Sequence, residues 1–171
     1  MTHTDDARWS RSLHALFGEE MFAAVGARRR GDWRLDALDI MRSAKASSTA
    51  GSPDGPFGAV TPGDFIGVFP VSRSGAEQIV ITLQGEWFQA DGIPDFSVRE
   101  AELTAHARTV LGRFGRDALF FTNAVTARDD PHADMLRRDG AYEGFTGHVM
   151  DCGVIAVSAT EVGVFWGFTI D

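Results

Sequence analysis

The closing stretch of the chain, Gly153 to Asp171, constrains the fold more than any other. Val162, Val164, Trp166, Phe168 and Ile170 are apolar and occupy alternate positions. An extended chain places all of them on one face. Gly163, Phe165, Gly167 and Thr169 fall on the other face, where absent and present side chains alternate. Such a face lets another backbone or a large ring come close. Val154 to Val157 form a second apolar run, and Ser158 to Glu161 supply a turn between the two. The reading is a β-hairpin that closes the fold, with Trp166 buried in the middle of its core-facing row.

Ahead of residue 64 the pattern is helical. Leu13, Phe17 and Met21 step by four, and Trp9 and Val25 extend the stripe. This predicts a helix over 8–26, with Asp5 and Asp6 near its start and Gly26 as its stop. Trp33, Ala37, Ile40 and Ala44 predict a second helix over 33–44, capped by Asp32. Residues 45–63 are rich in Ser, Gly, Ala and Pro and lack an apolar period. They read as a flexible loop, with 46–62 the most mobile interior segment.

From Asp64 onward the period is that of a sheet. Strands are expected over 65–69 and 78–83, with Ser72 to Glu77 as the turn between them, and a short one over 86–89. A helix over 97–114 follows, with Ser97 and Glu100 as a capping box and Leu103, Ala107, Val110 and Phe114 as its buried stripe. Ala118 to Val125 reads as a buried strand, Asp134 to Arg138 as one or two helical turns, and His148 to Val157 as the entry to the hairpin. The expected fold is a single α+β domain over 1–171. Its sheet is mainly antiparallel with about five to six strands, and the N-terminal helices and the central helix pack on one face.

Composition narrows the function classes. The net charge of −8 is unevenly spread: residues 1–50 hold eight Lys/Arg against seven Asp/Glu, and residues 51–171 hold eight against seventeen. An acidic body repels phosphate backbones and anionic lipid, so neither nucleic acid nor membrane is the expected partner. A single cysteine, Cys152, and a polar start without an apolar leader stretch predict a cytoplasmic location.

Three constellations are candidates for chemistry. Asp129, Asp130, His132 and Asp134 lie together after the 118–125 strand, and His with carboxylates suits a divalent metal. A short acidic loop presents such groups in neighbouring directions, so a solvated turn is the simpler reading, and no metal or cofactor is expected. His148 with Asp151 and Cys152 contains the elements of a thiolate pair. In an extended strand, however, 148 and 152 lie about 13 Å apart, and Cys152 reads as a small buried hydrophobe. His106 sits at the edge of the 103–110 stripe, as a packed histidine does. No phosphate-binding loop, nucleophile elbow or dinucleotide fingerprint is present.

The sequence therefore points to binding rather than catalysis. It has the general character of a small acidic protein that neutralises a basic protein partner, as an immunity protein or inhibitor does, with Asp129, Asp130, His132, Asp134 and His106 as candidate binding residues. Two alternatives stand beside this. One is a small-ligand-binding or metal-dependent enzyme using a pocket between the 97–114 helix and the sheet, with His106, His132 and Asp134 as its polar groups. The other is a component of a larger assembly, with Trp9 and Trp33 docking outward.

Overall fold

A computed structural model describes residues 3–43, 55–137 and 140–169. Five strands form one sheet: β1 (Phe22–Ala27), β2 (Phe69–Val71), β3 (Leu119–Thr122), β4 (Asp151–Val157) and β5 (Glu161–Phe168). Their order is β1-β5-β4-β3-β2, and every neighbouring pair is antiparallel. The helices are α1 (His3–Leu16), α2 (Trp33–Ser43), α3 (Arg73–Thr82), α4 (Phe96–Gly112) and the short α5 (Val125–Asp129). The α+β class and the antiparallel sheet agree with the sequence reading.

The closing hairpin has the expected register, with Val157 opposite Val162 and Gly153 opposite Trp166. Ser158 holds its turn, because its Oγ accepts from the backbone N–H of Thr160 and Glu161. Val162, Val164 and Trp166 are fully buried, and so is Phe165 on the opposite face. Ile170 lies outside the described residues. Large rings do lie over the glycine positions: a Cβ at Gly163 would overlap the ring of Phe114, and one at Gly167 would come within 2.9 Å of Phe88.

A hairpin that is apolar on both faces needs two covers, and the helices divide accordingly. Phe165, Val154, Ala156 and Cys152 pack with Leu16 and Phe17 at the end of α1, with α3, and with Leu103, Ala107, Val110 and Phe114 from α4. Val162, Val164, Trp166 and Ile155 pack instead with Ala37, Leu38, Ile40 and Met41 of α2. Phe57, Val60, Phe65 and Phe145 complete that second layer. The expectation of helices on one face is corrected here: α2 covers the face opposite α1, α3 and α4. The two tryptophans point inward as well. Trp33 stacks on Phe121 with ring centroids 4.3 Å apart, and Trp9 Nε1 donates to the carbonyl of Val110 at 3.0 Å.

Several elements differ from the sequence reading, each for a local reason. The helix expected over 8–26 ends at Leu16, and Phe22–Ala27 is the edge strand β1. A spacing of four is also a multiple of two, so Met21 and Val25 fit one strand face as well as one helix face. The strand expected over 78–83 is the second half of α3. Ser72, read as part of a turn, caps it by accepting from the N–H of Gly75 at 3.0 Å. The β-branched run Ile79-Val80-Ile81 is buried on all sides, between the sheet and α4. The helix-propensity penalty of such residues is a few tenths of a kcal/mol each, roughly, and burial outweighs it.

Of the strand expected over 65–69, a 3₁₀ turn over Pro62–Gly67 takes most, with Asp64 accepting from Thr61 N at 2.7 Å and Thr61 Oγ1 at 2.9 Å. Glu86–Phe88 is a 3₁₀ turn as well rather than a strand, whereas Met135–Arg137 is a 3₁₀ turn within the helical turns expected over 134–138. The capping box of Ser97 and Glu100 does not form; the residue before α4 is Asp95, in a left-handed conformation at φ 55°. Asp32 does cap α2, accepting from Arg34 N at 3.0 Å. Ala44 of the expected helix and residues 45–54 of the expected loop lie outside the described residues. The remainder of that loop is docked rather than free: Phe57 and Val60 are buried, and Arg42 donates to the carbonyl of Val60 at 2.8 Å.

The contact of Phe114 with Gly163 gives a direct check. Gly163→Ala is expected to destabilise the chain by about 1–3 kcal/mol, because the added methyl overpacks a filled core. Phe114→Leu should recover part of that loss in the double variant but not improve the wild type. Chemical denaturation of the four proteins reads the outcome, and purely additive losses would show that the two positions do not meet.

Candidate functional site

The candidates from the sequence occupy separate and mostly exposed places. Asp129 pairs with Arg128 at 3.1 Å, and Asp130 accepts from the backbone N–H of His132 at 2.9 Å. Asp134 accepts from Leu136 N at 3.1 Å and lies 3.6 Å from Arg137. These are turn-forming bonds in a solvated loop. Among the described residues no group of three His, Cys, Asp or Glu is placed to hold a metal ion. His106 is half-buried in the seam between α4 and α1, with Nδ1 3.0 Å from Ser12 Oγ and Nε2 3.6 Å from Glu102. Among the described residues it makes no hydrogen bond or ion pair to the 129–134 loop, and Asp134 lines a separate groove with Phe96 and Glu100 at the start of α4. Cys152 is fully buried, while His148 turns to Thr146 Oγ1 at 3.1 Å and to the ring of Phe168.

Asp151 has a different role from the one considered for it. It is buried at the start of β4, and its carboxylate is saturated by donors. Oδ1 accepts from Trp166 Nε1 and Asn123 Nδ2, each at 3.0 Å. Oδ2 accepts from Thr146 Oγ1 at 2.7 Å, Thr146 N at 2.8 Å and Phe145 N at 3.3 Å. Asn123, also buried, donates to the carbonyls of Asp151 and Glu143 and accepts from Gly153 N. A buried carboxylate without a cation persists when this many N–H and O–H groups face it. The hub ties segment 141–146 to the ends of β3, β4 and β5.

Segment 141–146 in turn holds the loop that carries the most exposed tryptophan of the described chain. Tyr142 forms an isolated bridge with Ala124, and its hydroxyl lies 3.3 Å from the carbonyls of both Trp87 and Phe88. Those two residues have φ of 57° and 54°. Consecutive left-handed residues with side chains cost about 1–2 kcal/mol each and persist where the surroundings enforce them. The enforcement is visible. Phe88 is buried against Tyr142, with ring centroids 5.8 Å apart, and against Gly167. Gly85 and Gly92 leave no space for a Cβ beside the backbone of Gln89 and Glu86. With Phe88 anchored inward, Trp87 is turned outward and is 58% exposed.

Trp87 borders a groove of about 380 Å³ lined also by Glu20, Met21, Gln84, Glu86 and Phe168. Among the described residues its charged lining consists of two carboxylates and no cation. Among those residues no histidine, cysteine or lysine lines it, and Glu20 and Glu86 are its ionisable groups. An indole face next to carboxylates suits a cationic group, held by charge and by the ring quadrupole together. Sequence reasoning passed over this site because Gly85 to Gly92 resembled a short strand and its turn. The signal available was the pair of glycines flanking an aromatic doublet.

Comparison with protein-family models, curated protein sequences and solved structures gave no match. The site is therefore read from its own geometry.

Two ion pairs have distinct electrostatics. Arg113 donates to both carboxylate oxygens of Glu161, at 2.9 and 3.0 Å, while its guanidinium lies 4.7 Å from the centroid of the Trp9 ring. That paired hydrogen bond holds the Glu161 carboxyl below the usual glutamate value of 4.5. Burial pushes the Glu77 carboxyl up, and Arg108 at 3.5 Å offsets part of this.

Removing the hub should be costly. Asp151→Ala removes the acceptor of Trp166 Nε1 and of the Phe145 and Thr146 N–H groups, for an expected loss of about 2–4 kcal/mol in denaturant unfolding. A loss below about 0.5 kcal/mol would mean that the hub is not formed. For Arg113–Glu161 the sign follows from the lowered acid pKa. Its contribution is fully present above the unfolded-state value and is lost as pH falls through the lower folded-state value. Glu161→Gln should be less stable than the wild type at pH 7, and the difference should close on acidification below the ordinary glutamate value of 4.5. Thermal melts across that range give the comparison.

Proposed function

We propose that this chain is a non-catalytic, acidic protein-binding module that docks a basic partner through the Trp87 face. The observation that carries the reading is the strained turn that holds Trp87 outward beside Glu20 and Glu86. An exposed tryptophan on a preset loop loses little conformational entropy on binding, and tryptophan is over-represented among the residues that dominate interface energies. The charge of the body supports the same partner class. The excess of carboxylates after residue 50 attracts a basic surface over long range and speeds encounter. The candidate residues Asp129, Asp130 and Asp134 contribute to this field as exposed charges rather than as a site. Neutralisation of the partner, as by an immunity protein or inhibitor, is the form of binding this reading favours. Among the described residues no helix is long and apolar enough to cross a membrane.

The groove can be probed without the partner in hand. Short blocked peptides containing arginine, lysine or glutamate are titrated against isotope-labelled protein while the Trp87 indole N–H signal is followed. Saturable shifts with arginine or lysine, absent with glutamate and weakened by added salt, are the expected result. Trp87→Ala should weaken binding of any protein partner by about 2 kcal/mol or more, roughly thirtyfold. An indole signal indifferent to all three peptides would remove the groove as the docking point for a basic partner.

A further inference from the structure

The sheet has two edges, and they are treated differently. At the β2 edge, Pro70 sits inside a strand of three residues, and both shortness and proline discourage pairing. The β1 edge, Phe22-Ala23-Ala24-Val25-Gly26-Ala27, has neither a proline nor a charge. Its orientation follows from its pairing. Arg28 N donates to the carbonyl of Thr160 at 2.8 Å, one step beyond the opposed residues Ala27 and Glu161. Hydrogen-bonded and non-bonded pairs alternate along an antiparallel ladder. Gly26, Ala24 and Phe22 therefore face β5, and Ala23, Val25 and Ala27 direct their N–H and C=O groups away from the sheet. Among the described residues these outward groups have no hydrogen-bond partner.

Charge flanks this edge in a self-complementary way. Glu19 and Glu20 precede β1, and Arg28, Arg29 and Arg30 follow it. Arg28 is engaged with the carbonyls of Ser158 and Gly31, and Arg30 with Asp39. Arg29 is exposed, and its guanidinium has no partner among the described residues. Two chains of net charge −8 repel each other over most of their surface, but residues 1–50 are nearly balanced in charge.

We propose that β1 is a pairing edge for a second copy of this chain, joined antiparallel about a two-fold axis into one continuous sheet. A two-fold perpendicular to the sheet keeps opposed side chains on the same face, so opposed residues share parity. With the axis at Ala24, Ala23 and Val25 of one copy exchange both backbone bonds with Val25 and Ala23 of the other. Glu19, in the turn that Met21 N closes on the carbonyl of Gly18 just ahead of the strand, then lies at the same end of the interface as Arg29 of the second copy, and this arrangement occurs twice. Small side chains along the strand let the two edges approach closely. This inference does not rest on the Trp87 reading, and its test uses Glu19 and Arg29, which do not line that groove.

The full chain is followed by sedimentation velocity between about 1 and 200 µM, since strand pairing of this length belongs with small, weak interfaces of micromolar affinity. A reversible dimer is expected. Arg29→Glu should weaken it by about tenfold or more, because like charges then sit together at both ends, and adding Glu19→Arg should restore it. Ala27→Pro removes an outward donor while leaving every bond to β5, and should shift the chain to monomer with its melting temperature little changed. Hydrogen exchange supplies a readout independent of variants. The amides of Ala23 and Val25 should gain protection as concentration rises, while those of Ala24 and Gly26 stay as they were. A monomer throughout the range overturns the proposal. So does a dimer that leaves these two amides unprotected or that ignores the charge exchange.

Discussion

The structure depends on a hairpin that cannot be exposed on either side. Every residue of β4 is buried, and β5 is buried from Val162 through Gly167. Burial of apolar area at about 25 cal/mol per Å² makes an uncovered face costly, so the rest of the chain is partitioned between two covers. One is built from α1, α3 and α4; the other from α2 and the segment that carries Phe57, Val60 and Phe65. Glycines set how closely the covers approach: Gly163 and Gly167 admit phenylalanine rings, and Gly153 admits the indole of Trp166.

Trp166 joins this apolar frame to the polar one. Its ring lies in the second layer, and its N–H reaches Asp151. From Asp151 the bonds continue through Asn123 and Thr146 to segment 141–146, and from Tyr142 to the carbonyls of Trp87 and Phe88. The strained conformation of the Trp87 turn is thus anchored to the centre of the sheet through a series of named bonds. Exposed aromatic residues on loops are common. One held in a left-handed backbone by a buried polar hub has a fixed direction, and this sets the Trp87 face apart from the exposed Ile66 and Val149.

The acidic cluster that stood out in the sequence is by contrast engaged in local turns. Asp130 and Asp134 each accept from a backbone N–H two residues on, as aspartates in turns do. Their spacing in the sequence was that of turn formation rather than of ligation, and the two uses of aspartate look alike when written as letters.

The closing hairpin, its turn at Ser158, the buried row through Trp166, the open glycine face opposite it and the stripe of α4 were legible from spacing, because each is decided by neighbours a few residues apart; which rings fill the glycine face, Phe114 and Phe88, was not. The net negative field was legible too, since it is a sum over the chain. What the sequence left open depended on partners distant along it. Met21 and Val25 fit helix and strand equally until β5 offered an edge for β1 to pair with. Ile79, Val80 and Ile81 favoured a strand locally, and a place buried on all sides between sheet and α4 made them helical. The outward Trp87 rests on Tyr142, and through it on Asn123 and Asp151, residues whose meeting only the tertiary structure decides. Periodicity reports which faces are apolar; it does not report which element will cover them, because that choice is made by long-range packing.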